Sequence, residues 1–380
     1  MNTTRDAVRV DAALPRVTPS PAPRMALVHD YFTQRGGAER LTERIAALYP
    51  DADVFTSVID PAAAPQAIDP GRITTTRLQR LFDAGVPLPA LGPLMAAAFR
   101  SLDLRHHDVV LSSSAAFGHR VRPRTDAIHV CYCNTPPAFL YRAEYFAGRP
   151  GARIGAAPVV AWMRRGDRQA AARVDRYIAN SRFTADRIRH SYGIEADVLH
   201  PAVDTAAYAP TGERSGRFLV VSRLRPHKAL DLAIAAANLH ALPLDVIGEG
   251  TDLRRLQALA GPTVRFLGWQ SDQEVADAMA RCVALVVPGI EDFGMVSAEV
   301  QSAGRPPIGA AVGGTAEIVT DGRTGYLVDD RTPAAFGAAM LRARDERLDV
   351  DELVASAARF DTKVFATTLG RLVSDAGARR

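Results

Sequence analysis

The chain is short of the features that would assign it quickly. Three cysteines in 380 residues cannot form a disulfide framework. Cys131 and Cys133 fall two apart on a predicted strand, so they share a face, and Cys282 stands alone. Buried, reduced thiols in a cytoplasmic protein are the expectation. No Cys-x-x-Cys and no histidine pair offers zinc spacing, so no metal site is expected. No apolar run reaches the roughly 18 residues of a membrane-spanning helix. Charge of one sign is also scarce: 46 Lys and Arg stand against 42 Asp and Glu, a net +4. Without a basic stripe interleaved with aromatics, nucleic acid is not an expected partner. Residues 1–24 carry Pro15, Pro19, Pro21 and Pro23 but no apolar stretch. They are not a signal peptide and read as a disordered leader, with Met25 as an alternative start.

What the chain does have is length for two domains and a globular composition, 47% hydrophobic and 23% charged. From Met25, short apolar runs alternate with longer helical segments. Ala26-Leu27-Val28, Val54-Phe55-Thr56, Asp108–Leu111, Ile128–Cys133 and Tyr177-Ile178-Ala179 read as strands, with helices over 38–48 and 168–174. Tyr208–Gly216 gathers Pro, Thr, Gly, Glu, Arg and Ser, a linker signature. The alternation then restarts, with strands at Phe218–Val221, Leu244–Ile247, Val264–Leu267, Ala284–Val287, Pro307–Gly309 and Gly325–Val328. This pattern predicts parallel, doubly wound sheets. The expected fold is α/β: two tandem Rossmann-like domains, residues 25–207 and 217–358, facing a central cleft across a linker at 208–216. A terminal helical segment, 359–380, is expected to pack back on the first domain. Ligands of such sheets bind beyond the carboxyl ends of the strands, so the cleft is the expected site.

The chemistry-bearing residues fall on loops that follow strands. In Glu291-Asp292-Phe293-Gly294-Met295-Val296-Ser297-Ala298-Glu299, two glutamates stand eight positions apart around a Phe-Gly turn. The segment follows an apolar strand and opens a helix. Both carboxylates can then face a ligand at the helix N-terminus, where free N–H groups and partial positive charge suit a phosphate. The alternative is two incidental surface acids. Arg223 and Lys228 follow Phe218–Val221 in a loop that Pro226 keeps from being helical. They suit a diphosphate, Arg as a fork and Lys as a point charge, or form a solvated basic loop. Gly36-Gly37 precede a helix carrying Glu39 and Arg40, and either cradle an anion or form a plain turn. Gly248-Glu249-Gly250 lacks the third glycine of a dinucleotide fingerprint, that position being Leu253, which argues against NAD or FAD. Gly313-Gly314-Thr315 with Glu317 reads as a sugar or phosphate contact, or as a tight turn. His29-Asp30 ends the first strand, pointing at the cleft as substrate contacts or structural hydrogen bonders. Leu81–His107, with Arg77, Arg80, Arg100 and Arg105 around its apolar residues, reads as a helical hairpin on the first sheet. The other reading is an amphipathic patch for peripheral contact with the inner membrane face.

The ordered set Gly36-Gly37-Ala38-Glu39-Arg40, Val221-Ser222-Arg223-Leu224 with Lys228, Val246–Gly250, Phe266-Leu267-Gly268, Glu291–Glu299 and Gly313–Glu317 resembles the retaining glycosyltransferases of family 4, with the GT-B fold, from about Met25 onward. His29-Asp30-Tyr31-Phe32, Tyr132-Cys133-Asn134-Thr135-Pro136 and Ile178-Ala179-Asn180-Ser181 resemble its branch of O-antigen and exopolysaccharide mannosyltransferases, which often use GDP-mannose. The resemblance implies that Arg223 and Lys228 hold the donor diphosphate, that Glu291 meets the sugar hydroxyls and that Glu299 meets the ribose. It also implies that the amides of Phe293, Gly294, Met295 and Val296 cap phosphate and sugar, and that Gly36 and Gly37 close the phosphate seat. Arg223, Lys228 and Glu291 would be the catalytic set. No metal and no cofactor beyond the GDP- or UDP-linked donor substrate is implied. Retention would proceed by front-side displacement, the departing phosphate helping to deprotonate the acceptor hydroxyl.

His29, Asp30 and Asn134 are the acceptor-side candidates. Asn134 stands where the branch usually has His, Ala138 where Arg is common, and Ser297 where Pro is frequent. The implied activity is transfer of a hexose, mannose from GDP-mannose first, to a glycan or lipid-linked acceptor at the inner membrane face. Three readings stay open beside it: a UDP-sugar enzyme acting on a small natural product, a nucleotide-sugar-binding homologue without transfer, and a sugar epimerase. The loop Gly268-Trp269-Gln270 is where a nucleobase would be read.

Overall fold

Near-continuous apolar runs such as Ala26-Leu27-Val28, Val109-Val110-Leu111 and Leu285-Val286-Val287 are fully buried. Only a sheet covered by helices on both faces satisfies them. In the computed structural model, which describes residues 23–142 and 150–378, they become the centres of two parallel sheets. The leader expected over residues 1–24 lies, up to position 22, outside the described residues.

The first part of the chain runs β1 (Met25–His29), α1 (Gly37–Leu48), β2 (Asp53–Thr56), β3 (Ile73–Thr75), α2 (Leu78–Asp83), α3 (Leu88–Arg100), β4 (Val109–Ser114), β5 (Ile128–Cys133), α4 (Ala138–Tyr141), α5 (Pro150–Ala171), β6 (Arg176–Ala179), α6 (Arg182–Tyr192) and β7 (Asp197–Val198). Its strands lie in the order β3-β2-β1-β4-β5-β6-β7, all parallel. The second part runs β8 (Phe218–Val221), α7 (Leu230–Leu239), β9 (Leu244–Ile247), α8 (Leu253–Leu259), β10 (Val264–Gly268), α9 (Asp272–Arg281), β11 (Leu285–Val287), α10 (Met295–Ser302), β12 (Pro307–Ala310), α11 (Thr315–Ile318), β13 (Tyr326–Val328), α12 (Pro333–Asp345), α13 (Val350–Ala358) and α14 (Thr362–Ala378). Its order is β10-β9-β8-β11-β12-β13, again parallel. The two Rossmann-like sheets read from the sequence are present.

Each sheet reverses its order at one point, between β1 and β4 and between β8 and β11. Loops leaving adjacent strands diverge there and open a crevice beyond the carboxyl ends. The loop after β8 carries Arg223 and Lys228, the loop after β11 carries Glu291, and the loop after β1 leads to Gly36. The strand order of the second sheet therefore gathers Arg223, Lys228 and Glu291 at one switch point, while Gly36 leaves the switch point of the first.

Helix α14 returns to the first sheet, where Phe365, Leu369, Leu372, Val373 and Ala376 are buried with Leu27, Leu111, Val130 and Tyr132. The segment joining the sheets is fastened from the second: buried Arg305 donates to the carbonyls of Thr211 (2.8 Å) and Glu213 (2.7 Å). Helices α2 and α3 form a hairpin on the first sheet, with Leu78, Leu91, Met95 and Phe99 buried against Val28 and Val110. Packing accounts for most of the Leu81–His107 apolar residues, although Leu81 and Leu94 face outward. Helix α5 is much longer than the expected 168–174, because Pro158 and the glycines before it read as breakers yet lie inside the helix.

Candidate functional site

The loop after β8 is shaped from beneath by two glycines. A Cβ at Gly248 would lie 2.1 Å from the Ser222 carbonyl oxygen, and one at Gly250 would lie 2.2 Å from that of Leu224. Both have positive φ, and the Leu224 N–H donates to the Glu249 carbonyl at 2.8 Å. The Gly-Glu-Gly segment thus supports the basic loop rather than cradling a dinucleotide. Pro226 opens a short 3-10 turn ending at Lys228, after which Ala229 takes a left-handed conformation to start α7.

Lys228 projects onto Glu291. Its Nζ donates to Glu291 Oε2 at 2.7 Å and Oε1 at 2.8 Å, a bidentate pair joining the two sides of the switch point. Burial alone would push the Glu291 carboxyl up, but the charge and hydrogen bond of Lys228, with His227 and Arg223 behind it, hold it below its ordinary value. His227 goes the other way for an imidazole. Burial, then Lys228 and Arg223, lower it to about 4, so it is neutral at neutral pH. The Glu291 loop is braced by Gly313-Gly314: the Gly314 N–H donates to the Glu291 carbonyl at 2.8 Å, and a Cβ at Gly313 would stand 2.7 Å from that oxygen.

Gly294, at φ 89°, turns the chain into α10. Buried polar atoms without hydrogen-bond partners gather around that turn: Ser297 Oγ in the first turn of α10, and Thr315 Oγ1, 2.8 Å from where a Gly294 Cβ would sit. Such atoms are costly unless a ligand satisfies them. Phe293 buries its ring between His200 and Phe360, each 5.3 Å away. Met295 meets the first domain, its Sδ lying 3.0 Å from where a Gly37 Cβ would be. The Gly36-Gly37 turn therefore sits directly over the start of α10, with Val296 in the same helical turn. In this arrangement the Gly36 N–H donates to Glu39 Oε2 (3.0 Å), while Glu39 Oε1 accepts from Gln34 Nε2 (3.0 Å). Gln34 in turn accepts from Arg223, a contact across the cleft. Glu299 is buried and ion-paired with Arg40 of α1 at 3.2 Å. Its carboxylate meets this guanidinium before any ribose.

The acceptor-side candidates are placed differently from the expectation. Asp30 is buried and does not open onto the cleft. Its carboxylate accepts four backbone N–H groups, from Ala115 (2.5 Å), Ala116 (2.9 Å), Phe117 (2.7 Å) and Gly118 (2.6 Å), and so fixes the turn after β4. His29 is buried too, with Nδ1 3.0 Å from both the Ser113 carbonyl and Thr42 Oγ1. Asn134 turns inward, donating to Ser113 Oγ at 3.2 Å. A polar pair at a strand end reads the same in sequence whether it serves a ligand or its own domain.

One contribution had no signal in the sequence. Asp292 accepts from Arg142 Nη2 at 2.5 Å and from Arg187, both in the first domain, and Ser181 Oγ donates to the Asp292 carbonyl at 2.5 Å. Burial pushes the Asp292 carboxyl up to about 6, with Arg142 opposing, and it remains charged at neutral pH. Glu317, offered by the sequence with Gly313-Gly314-Thr315 as a sugar or phosphate contact or as part of a tight turn, caps α6 here, accepting the N–H groups of Arg182 and Phe183 at 2.9 Å each, and so fastens α11 to the first domain. Together these contacts hold a cleft in which Arg223 and Lys228 face the N-terminal end of α10 beside a bidentate carboxylate. That arrangement can hold a diphosphate, orient hydroxyls against Glu291 and stabilise negative charge on a departing phosphate.

Family models agree with that chemistry. The model described as glycosyl transferases group 1 matches residues 209–360, and that described as glycosyltransferase family 4 matches residues 35–207. The D-inositol 3-phosphate glycosyltransferase of Geodermatophilus obscurus is 30% identical over 379 residues, covering 87% of this chain and 79% of that protein. The protein of the same name from a Nocardioides strain is 27% identical over 369 residues, covering 83% and 78%. Among solved structures, sucrose-phosphate synthase from Thermosynechococcus elongatus superposes with a TM-score of 0.74 at 19% identity, covering 94% of this chain and all of that one. Anabaena HepE in complex with UDP and glucose gives 0.69 at 18%, covering 93% of this chain and all of that one.

Proposed function

The chain belongs to the family 4, group 1 glycosyltransferases, and on that premise we propose that it moves a hexose from a nucleotide-sugar donor with retention and without a metal. The first donor reading is GDP-mannose, and the acceptor is a glycan or lipid-linked glycan. The observation that carries the reading is the bidentate Lys228–Glu291 pair at the switch point of the second sheet, with Arg223 alongside and the start of α10 opposite. Lys228 and Arg223 take the diphosphate. The phosphate competes with Glu291 for Lys228, which frees the carboxylate for the sugar hydroxyls. Catalysis is then positioning and charge stabilisation, with Lys228, Arg223 and the α10 amides meeting the charge that grows on the leaving phosphate. That phosphate takes the proton of the acceptor hydroxyl as the new bond forms on the face the leaving group vacates.

A second reading has an observation of its own. The relatives reported above are named for D-inositol 3-phosphate, and a structural neighbour binds UDP and glucose. A UDP-sugar donor and a small phosphorylated polyol acceptor therefore stand as the competing pair. Incubation with GDP-mannose or UDP-glucose, with and without EDTA, and with each acceptor class, followed by proton NMR of the anomeric linkage, separates the readings. An α-linked product from an α-linked donor, insensitive to EDTA, supports retention without metal. An inverted or EDTA-abolished product contradicts it.

A further inference from the structure

Away from the cleft, α5 packs Val160 and Met163 against the core that holds Met95 and Phe99 of α3. Its other side leaves Val159 (52%) and Trp162 (70%) in solvent one helical turn apart, and α3 adds Leu94 (50%). Cations gather toward the C-terminal ends of the same two helices. Ala161, Arg164, Arg165, Arg168 and Gln169 line a groove of about 610 Å³. Both helices contact the 118–120 turn, and there Arg173 has its guanidinium lowered by burial and then by Arg122 and Arg100. Among the described residues, no carboxylate pairs with Arg100, Arg122, Arg164, Arg165, Arg168 or Arg173. The acid on this stretch of α5, Asp167, is buried and held by His119 (3.1 Å) and Tyr141 (3.1 Å).

Guanidiniums without a carboxylate partner on the same helix as an exposed indole and an exposed valine complement an anionic bilayer. The cations meet headgroup phosphates while the ring and alkyl groups enter the acyl boundary. A soluble anion would engage the arginines and leave Val159, Trp162 and Leu94 in water, so the bilayer accounts for more of the surface. We propose that the outer face of α5, with Leu94 and Arg100 of α3 and Arg122 beyond the 118–120 turn, docks the protein on an anionic lipid bilayer. The inference rests on the reading of the acceptor as lipid-linked, and it gives that acceptor a short route. Tyr141, which donates to Asp167 of α5, is followed directly by Arg142 in the cleft.

The test is co-sedimentation of the full chain with vesicles of equimolar phosphatidylglycerol and phosphatidylcholine, and with pure phosphatidylcholine. The wild type binds the anionic vesicles and not the neutral ones, and in a Trp269→Phe background the Trp162 emission shifts to the blue. Arg122→Gln/Arg165→Gln weakens partition about tenfold or more, at roughly several-fold per arginine, and Trp162→Ser also weakens it. Absence of binding to anionic vesicles, equal binding to neutral ones, or unchanged partition in these variants overturns the proposal. A nucleotide-induced thermal shift on the same proteins keeps the two ideas apart. The Arg122→Gln/Arg165→Gln and Trp162→Ser variants, made with Trp269 intact, retain the wild-type shift, whereas failure of the donor reading removes the shift from every protein without touching vesicle binding.

Discussion

Arg142 donates to the Asp292 carboxylate at 2.5 Å, and the two residues lie on opposite domains. Asp292 directly follows Glu291, so the ion pair across the cleft also fixes the backbone that carries the Glu291 carboxylate. Arg187 adds a second guanidinium to the same oxygen.

Asp292→Ala leaves both guanidiniums without their partner. The side chains are partly exposed, so the cost to the closed state is on the order of 1–2 kcal/mol, below that of a fully buried pair. The radius of gyration by small-angle scattering rises and the donor KM increases, while each domain keeps its fold by circular dichroism. An unchanged radius and KM would show that the clasp is incidental.

Lys228→Ala removes a partly buried cation held in place by Glu291. Loss of one preorganised donor to a developing negative charge costs about 10²–10³ in kcat. Lys228→Arg restores little, because its planar fork does not reproduce the point charge that Glu291 brackets with two oxygens. Steady-state kinetics on both variants check this.

The Lys228–Glu291 pair also fixes a pH dependence. The Glu291 carboxyl is held below its ordinary value of 4.5 in the folded protein. Its stabilising contribution is therefore complete above 4.5 and is lost as pH falls through the lower folded value. Glu291→Gln lacks that dependence. The gap in melting temperature between wild type and variant stays level from neutral down to about 4.5 and narrows as the pH falls further; a gap that stays constant through that lower range would contradict the pairing.

Gly294→Ala forces a Cβ into a left-handed position, 2.8 Å from Thr315 Oγ1. Strain of this kind costs about 1–3 kcal/mol. Denaturant unfolding reports it, together with weaker nucleotide binding as the start of α10 shifts.

Much of this was legible in the sequence because it is local. Apolar runs gave the strands, and strand-to-loop transitions placed Arg223, Lys228, Glu291 and the glycines of the cleft. What escaped was long-range or ambiguous. The Asp292–Arg142 and Asp292–Arg187 pairs join positions 150 and 105 residues apart, and no spacing rule connects them. Asp30 looked like a substrate contact because a carboxylate at a strand end looks alike whether it faces a ligand or gathers four backbone N–H groups. The sequence already argued against a dinucleotide loop at Gly248 and Gly250, but what those glycines do instead, letting two backbones touch at Ser222 and Leu224, shows only in their φ angles and contacts.

The central claim is that Lys228 and its neighbours hold a nucleotide diphosphate. Titration of GDP, GDP-mannose, UDP and UDP-glucose into wild type and Lys228→Ala, followed by melting temperature with and without EDTA, tests it most directly. The account predicts a rise with one nucleotide class in the wild type, unaffected by EDTA and largely lost in the variant. An equal rise in both proteins, or none in either, would contradict it.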